Sequence, residues 1–443
     1  MSLLNIARRI IFWSLDFIKG SPIRNHYNEI NQILSNTNSK KSTERRNELL
    51  NNLLNHAVDS TPYYSTYKSF RSLQDFPVIN KILIQENFNS FKSIAYLNKK
   101  QYLVSTSGST GIPFQLFQNK NKRSRNTADV IYFSQQSGYI IGQKVYFLEA
   151  WRHTKKKIIK SKIQNIEYVD ISIFETRQID VFLKRLSNNL ILNNIIGLPS
   201  ALEKICKHMD NQTFLESKKL KINSIITVSE YLSSYVKENL EKHFNTKVVS
   251  RYSNEEMGIL AQQSNIEQNN AFNINWASYY VEILKMDTNE KANLGELGRI
   301  VITDLFNSCM PLIRYDTGDI GAFEIPNTTH KFYKLKTIEG RKMDFLYDTK
   351  GTLISPHLIH NLFNKYFHLL KQYQFIQEGE NEYTVKLNIH NEFPNERKFI
   401  EEIKKDFGND ANIKIIYVNG IPTLSSGKQQ KVLNLWHTHK KIS

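Results

Sequence analysis

The first segment whose residue types could do chemistry is a loop of hydroxyl and glycine residues, Ser105-Thr106-Ser107-Gly108-Ser109-Thr110-Gly111-Ile112-Pro113. Gly108 and Gly111 let the backbone curl, so that hydroxyl and backbone N–H groups can face one anion such as a triphosphate. No Lys-Ser/Thr pair follows the second glycine, so the loop is not a Walker A motif. Its composition also fits an ordinary flexible connection.

Four later segments carry carboxylates or cations. The first two lie at strand-like runs, and the last is a Ser/Gly turn that ends in a lysine. They are Tyr252-Ser253-Asn254-Glu255-Glu256-Met257-Gly258, Pro311-Leu312-Ile313-Arg314-Tyr315-Asp316-Thr317-Gly318-Asp319, Gly340-Arg341-Lys342-Met343-Asp344 and Ser425-Ser426-Gly427-Lys428. With the first loop, this ordered set resembles the adenylate-forming superfamily, whose members activate a carboxylate with ATP. The resemblance is strongest to the phenylacetate–coenzyme A ligase group and its capsular polysaccharide biosynthesis (CapK-like) branch, and it extends from about Pro62 to Lys431.

The resemblance implies roles for the nucleotide-binding residues. The loop would bind the β- and γ-phosphates of ATP through Ser107, Gly108, Ser109, Thr110 and Gly111, with Thr110 also catalytic. Glu256, rather than its neighbour Glu255, would be catalytic and would hold Mg²⁺, which takes few protein carboxylates and keeps phosphate oxygens as ligands.

The remaining nucleotide contacts implied by the resemblance come from five further residues. They are Glu230, Tyr252 and Ser253 around the adenine and acyl pocket, Asp319 at the ribose hydroxyls, and Arg341 at the ribose or the α-phosphate. An Asx turn is the alternative role for Asp319.

The resemblance places the last catalytic residue, Lys428, on a mobile C-terminal lid. When the lid closes, its ammonium would meet the carboxylate of the acid and the α-phosphate. Lys431 is the rival lysine and is expected to face solvent, because no glycine precedes it.

Two departures from the family pattern and one further motif remain. Phe114-Gln115 stands where many members have a lysine after the phosphate loop, and Met343 stands where the hinge commonly has an aspartate, with Asp344 one place later. Trp151-Arg152-His153 is either a contact for the acid or acceptor, or a solvated loop.

Hydrophobic periodicity predicts the elements that must position these residues. Strand-like and helical runs alternate from Lys144 to Phe244, which implies a layered sheet with helices on its faces and ligands at the carboxyl ends of the strands. We therefore predict an α/β fold with a large layered N-terminal domain and a small α+β lid. The expected divisions are 1–60 as a helical segment, 61–340 as the domain that binds ATP and the acid, and 341–443 as the lid.

Composition restricts the partners. The 443 residues include 59 Lys plus Arg against 42 Asp plus Glu, a net charge of +17, but no basic run interleaved with aromatics, so nucleic acid is not expected. The two cysteines, Cys206 and Cys309, are too few for a disulfide framework and are expected in the core of a cytoplasmic protein. No stretch of about eighteen apolar residues occurs, so nothing is expected to span a membrane.

The N-terminal segment Ile6–Ile18 is apolar with Arg8 and Arg9 beside it. Asp16 interrupts it and no small-residue cleavage site follows, so it is not a signal peptide. As a helix it would either pack on the body of the protein or make a peripheral membrane contact.

Together these features predict a ligase that uses ATP and Mg²⁺ to convert a small carboxylic acid to an acyl-adenylate. The acyl group would pass to a sugar, carrier or coenzyme A in surface or capsular polysaccharide biosynthesis. An aryl-acid coenzyme A ligase is the alternative, and a catalytically silent scaffold with the same fold is the alternative of another class.

Overall fold

The computed structural model describes residues 2–106, 114–150, 155–188, 191–211, 220–266, 270–326, 333–341, 344–424 and 427–436. Its helices are α1 Leu3–Ile18, α2 Pro22–Ser35, α3 Lys40–Ser60, α4 Lys81–Glu86, α5 Lys120–Gln136, α6 Lys155–Ile163, α7 Thr176–Ser187, α8 Pro199–Asn211, α9 Ser234–Phe244, α10 Pro356–Asn364 and α11 Glu396–Phe407. Side-chain caps begin several of them. The Asn80 side chain, for example, accepts the Leu83 N–H at 2.9 Å and so starts α4.

The strands up to the end of the large domain are β1 Tyr102–Ser105, β2 Gln115–Gln118, β3 Lys144–Glu149, β4 Ile166–Asp170, β5 Asn193–Gly197, β6 Ile222–Val228, β7 Val248–Asn254, β8 Gly258–Gln263, β9 Phe272–Ile274, β10 Tyr279–Leu284, β11 Gly298–Asp304, β12 Tyr315–Phe323 and β13 Leu335–Arg341. The strands that follow are β14 Leu346–Tyr347, β15 Leu353–Ile354, β16 Leu370–Gln377, β17 Glu382–Ile389, β18 Asn412–Tyr417 and β19 Val432–Asn434.

Eleven of these strands form one large sheet in the order β10-β11-β12-β13-β9-β8-β7-β6-β5-β3-β4. Strands β3 to β7 pair in parallel, and helices connect them, as the alternation in the sequence predicted. From β7 onward the pairing is antiparallel. The switch at β7 joins the parallel half to the antiparallel half, in which β8 and β9 lie between β7 and β13.

The C-terminal part has a sheet and a core of its own. Its strands run in the order β18-β17-β16-β19, and α10 and α11 cover a core that includes Phe363, Phe375, Phe399 and Phe407. The mixed α/β class, with a large sheet domain followed by a smaller α+β unit, is therefore confirmed.

Cys206 and Cys309 are both buried free thiols, as predicted. Two predicted helix boundaries are wrong. The hydrophobic pattern predicts a helix from Val181 to Leu192, but α7 ends at Ser187. The pattern also predicts a helix from Ala201, but α8 begins at Pro199, where the fixed φ of proline suits the first turn of a helix.

Candidate active site

Some of the predicted site residues closely follow strands of the large sheet, and others lie within its strands. Glu230 follows β6 by two residues, Glu256 follows β7 by two residues, and Ser253 lies within β7, partly buried. Asp319 is in β12, directly opposite Arg341 of β13 in the antiparallel register. Residues far apart in the sequence are brought together here, because the Tyr252 hydroxyl of β7 donates to Asp319 of β12, which lies opposite Arg341.

Glu256 is a buried carboxylate with two polar partners from other elements. Its side chain is 3% exposed, and its Oε1 lies 2.6 Å from Nζ of Lys81, at the start of α4. The hydroxyl of Tyr315 donates to the same oxygen at 3.3 Å. Glu255, in contrast, is exposed, so only one of the two adjacent glutamates is buried.

The described ends of the phosphate loop lie beside this carboxylate. Strands β1 and β2 form a hairpin, and the Thr106 N–H donates to the Phe114 carbonyl at 2.9 Å, which closes the mouth of the loop. The Phe114 ring stacks on Tyr315 with 6.3 Å between centroids, and Nζ of Lys81 lies 5.5 Å from the Phe114 ring. The two described ends of the loop, Thr106 and Phe114, therefore lie next to each other and close to Glu256.

Asp319 is held by a network that begins at Tyr252. The Tyr252 hydroxyl donates to Asp319 Oδ2 at 2.6 Å, and the Asp319 N–H donates to the Thr317 hydroxyl oxygen at 3.1 Å. Burial raises the pKa of the Asp319 carboxyl, although the Tyr252 hydrogen bond and the charges of Arg341 and Lys81 oppose the shift. A carboxylate that is fixed and partly desolvated in this way is suited to accept hydroxyl donors.

Asp344 adds a third carboxyl to this region, at the point where the large domain ends. Burial raises its pKa to about 6; the charge of Arg341 opposes that shift and the charge of Asp319 adds to it. Of the two hinge positions that the sequence left open, Asp344 therefore lies within the electrostatic reach of the site. Met343 lies outside the described residues.

Lys428 reaches the same site from the C-terminal unit. Its pKa is lowered, first by burial and then by the charge of Arg341, while the charges of Glu230, Asp319 and Glu255 oppose the shift. The loop before it fits tightly against the large domain, because a Cβ on Gly427 would lie 3.0 Å from Ile171 and 3.2 Å from Ala150. Gly427 also has a φ of +81°, which favours glycine.

Glu230 lies between the two units. One carboxylate oxygen accepts the Ser200 N–H at 2.9 Å, and the other accepts the N–H of Gln429, the residue after Lys428, at 3.0 Å. Burial raises the pKa of this carboxyl, and the two backbone donors oppose the shift. In this arrangement Glu230 fixes the position of the loop that carries Lys428.

Lys431 does not face solvent, so that expectation is wrong. Its Nζ lies 2.6 Å from Glu203 Oε2, and Lys207 lies 2.8 Å from Glu203 Oε1 on α8. Burial raises the pKa of Glu203, but the ammonium groups of Lys431 and Lys207 outweigh it and lower the pKa from 4.5 to about 2. The stabilisation is therefore complete above pH 4.5 and is lost as the pH falls through about 2.

The two lysines that contact Glu203 make further contacts with the C-terminal unit. Lys207 also donates to the Leu370 carbonyl at 2.6 Å, and the Lys431 ammonium lies over the rings of Phe367 and Tyr373. We call Glu203, Lys207 and Lys431 the lid triad.

Comparison with known proteins finds relatives of this chain. Residues 346–435 match the family described as the CapK C-terminal domain. Protein CapK of Staphylococcus aureus is 23% identical over 441 residues, which cover 94% of each chain. The phenylacetate-coenzyme A ligase of Aromatoleum evansii is 27% identical over 169 residues, 35% of this chain and 38% of that protein. The chain is therefore similar to CapK over most of its length and to a phenylacetate-coenzyme A ligase over a shorter part, as the order of its motifs indicated.

Among solved structures, this CapK-like ligase is similar to a 2-hydroxyisobutyryl-CoA ligase in two states. The postadenylation complex with R3-HIB-AMP has a TM-score of 0.69, with 15% identity over 92% of this chain and 93% of that one. The complex with 2-HIB-AMP and CoA in the thioesterification state has a TM-score of 0.57, with 16% identity and the same coverage.

Several predicted residues of the ligase lie outside the described parts of the chain. They are Ser107, Gly108, Ser109, Thr110 and Gly111 of the phosphate loop, and Trp151, Arg152 and His153. Conversely, the sequence did not identify Lys81 as a residue of the site, or Glu203 as a residue of the contact between the large domain and the C-terminal unit. The segment Phe76-Pro77-Val78-Ile79-Asn80-Lys81 resembles the family's short entry segment ahead of the phosphate loop, and Lys81 at its end was the available signal.

The lid triad generates a prediction about docking of the C-terminal unit. In Glu203→Gln, two buried ammonium groups lose their counter-charge; removing one partner of a buried ion pair costs about 3–5 kcal/mol. We expect the C-terminal unit to undock, with faster hydrogen exchange at residues 367–373 and 428–434 and a larger radius of gyration in X-ray scattering. Glu44→Gln removes a carboxylate from an exposed pair and serves as the control. Unchanged exchange in Glu203→Gln would contradict the role of the triad.

Proposed function

We propose that this protein uses ATP to activate a small carboxylic acid and then transfers the acyl group to an acceptor. In the first step an oxygen of the acid attacks the α-phosphorus of ATP, the bond to the β-phosphate oxygen breaks, and pyrophosphate leaves. In the second step a nucleophile of the acceptor attacks the acyl carbon, and AMP leaves. The observation that carries the proposal is the convergence of Lys428 from the lid with Asp319, Glu230 and Arg341 of the large domain.

Asp319 is proposed to bind the ribose. Its carboxylate is oriented because Tyr252 donates to Oδ2 at 2.6 Å, so less side-chain entropy is lost when two ribose hydroxyls donate to it. Arg341, opposite Asp319 in the sheet, supplies positive charge at the same edge. The aromatic ring of Tyr252 gives this part of the pocket an apolar wall.

Glu256 is proposed to hold Mg²⁺. Mg²⁺ takes few protein carboxylates and completes its shell with phosphate oxygens and water, so one buried carboxylate suits it. The buried carboxylate of Glu256 already attracts one cation, Lys81, at 2.6 Å. When bound, the ion would neutralise charge on the phosphates.

Lys81 is proposed to supply the cation that the phosphate loop lacks. Phe114-Gln115 replaces the lysine that many members carry after the loop, yet Nζ of Lys81 lies 5.5 Å from the Phe114 ring and is one-third exposed. Its long side chain can therefore move from Glu256 to a phosphate oxygen when a metal ion takes its place at the carboxylate.

The lid is proposed to move between the two steps, and the described arrangement to correspond to the first. Similarity to the postadenylation structure exceeds similarity to the thioesterification structure of the same ligase, with TM-scores of 0.69 and 0.57. In the described arrangement the lid triad and the Glu230–Gln429 hydrogen bond hold Lys428 in the cleft. Removing Lys428 after adenylation would require breaking both contacts.

A role in surface or capsular polysaccharide biosynthesis is proposed for the acyl transfer. The relationship to Protein CapK covers 94% of the chain, whereas that to the phenylacetate-coenzyme A ligase of Aromatoleum evansii covers 35%. The acceptor is therefore proposed to be a sugar or carrier, with coenzyme A as the alternative. Pyrophosphate release and acyl transfer, measured across amino, aryl and short aliphatic acids with and without coenzyme A, would identify the acid and separate these acceptors.

Glu256→Gln is expected to slow ATP–pyrophosphate exchange about a hundredfold, which corresponds to roughly 3 kcal/mol for the loss of one charge partner in the transition state. Glu255→Gln is the matched control, because Glu255 is adjacent but exposed, and we expect little change. Thermal unfolding of both variants would verify that the fold is intact. Equal exchange rates in Glu256→Gln and the wild type would contradict the metal role, and a wild type that neither exchanges with any acid nor binds Mg-ATP would favour a scaffold.

Lys428 is expected to give adenylation an alkaline limb. Because its pKa lies below the usual 10.5, the ammonium loses its proton at a lower pH than an ordinary lysine, so the rate is high below that pKa and falls above it. In Lys428→Arg the guanidinium stays charged, and the limb should move to higher pH at a reduced maximal rate. Lys431→Arg is the control and should leave the limb in place; an unshifted limb in Lys428→Arg would contradict the assignment.

A further inference from the structure

Helix α1 has the reverse of the usual arrangement, because it buries polar residues and exposes apolar ones. Its buried residues are Asn5 and Asp16. Its exposed apolar residues are Leu3, Leu4, Ile6, Ile10, Ile11, Leu15, Phe17 and Ile18, with exposures from 39% at Ile6 to 86% at Leu3. At 100° per residue these eight side chains cover an arc of about 180°.

The polar side of α1 is docked firmly, so the exposed arc is not the result of a detached helix. The Asp16 carboxylate accepts the N–H groups of Ile23 and Arg24 at 3.0 and 2.9 Å and so satisfies the first turn of α2. Trp13 contacts Tyr27 edge-on, and the Arg24 guanidinium lies 3.7 Å from the centre of the Trp13 ring.

A glycine in the large domain permits this docking. A Cβ on Gly142 would lie 2.4 Å from the Asn5 carbonyl oxygen and 3.3 Å from Cβ of Arg8. Since Gly142 also has a φ of +96°, both its conformation and its lack of a side chain suit the close approach of α1. The direction in which the apolar arc points is therefore built into the fold.

The charges around the arc are positive. Arg9, Lys19 and Arg24 are exposed, Arg8 lies at the edge of the arc, and the one acidic residue of α1, Asp16, is buried. The whole chain carries a net charge of +17. A wide apolar face bordered by arginine and lysine is typical of a helix that lies in the interface of an anionic membrane.

The width of the arc argues against a partner helix, because a helix–helix seam covers a narrower stripe than half of the circumference. Spanning the bilayer is also unsuitable: among the described residues, no helix combines the length and the hydropathy that crossing a membrane requires. We propose that α1 is an in-plane anchor that binds the surface of membranes rich in anionic lipids, with the arc among the acyl chains and its cations at the headgroups.

Vesicle co-sedimentation tests this proposal with the full-length protein. The wild type is expected to bind vesicles of phosphatidylglycerol and phosphatidylcholine, and to bind pure phosphatidylcholine vesicles more weakly. The triple variant Ile10→Ser, Ile11→Ser, Ile18→Ser should bind the anionic vesicles at least about tenfold more weakly. Arg9→Gln with Lys19→Gln should weaken binding about fivefold per charge, and added salt should do the same.

A matched control uses exposed apolar residues elsewhere. Ile94, Leu97 and Leu103 are 59%, 57% and 54% exposed, close to the 60% and 57% of Ile10 and Ile11, and their change to serine should leave vesicle binding unaltered. Failure of the wild type to bind either vesicle would overturn the proposal, as would undiminished binding by the α1 triple variant. A triple variant that instead converts a dimer to a monomer in light scattering, without vesicle binding by the wild type, would assign the arc to a second copy of the chain.

Discussion

The candidate site depends on the need to neutralise carboxylates that the sheet holds away from water. Glu256 is 3% exposed, and burial raises the pKa of Asp319. A carboxylate in such a place needs a cation or several donors, or its charge becomes too costly. Here the partners come from three regions of the chain: Lys81 from α4, Arg341 from the end of the large domain and Lys428 from the lid. Neutralising the site therefore brings these three regions together.

The lid contact follows the same principle at a second place. Glu203 is a nearly buried carboxylate on α8, and both of its ammonium partners lie within 2.8 Å, one of them on the lid. Glu230 also links the two units, but its donors are uncharged. Its carboxylate accepts the backbone N–H of Ser200 in the large domain and that of Gln429 in the C-terminal unit. A buried ion pair is strong only while both partners are present. Such contacts therefore define one closed position of the lid, but they do not prevent the lid from leaving it. That property would suit the lid movement that we propose between the two steps of the reaction.

Much of this arrangement could be predicted from the sequence, because it depends on local patterns. The alternation of apolar runs placed β3, β6 and the helices between them. In the family pattern that the motifs resemble, a glutamate follows the tyrosine by four positions, which favours Glu256; Glu255 is the more exposed of the two. The fold class and the family followed from the order of the motifs. The phosphate loop itself stays a prediction, since most of it lies outside the described residues.

The rest depends on contacts between residues that are distant in the sequence. Lys81 meets Glu256, and Lys431 meets Glu203, across separations that no periodicity records. The absence of a glycine before Lys431 suggested a solvent-facing side chain, but a charge on α8 decides its position. The apolar arc of α1 was visible in the sequence, but its outward direction depends on Asn5, Asp16 and Gly142.

The most direct test of the account is a crystal structure of the wild-type protein with Mg²⁺ and a non-hydrolysable ATP analogue, because it needs no knowledge of the acid. The account predicts the ribose hydroxyls on Asp319, the metal ion on Glu256 with Lys81 moved to a phosphate oxygen, and the α-phosphate within reach of Lys428. A nucleotide bound away from Asp319, or a metal ion held by residues other than Glu256, would contradict it.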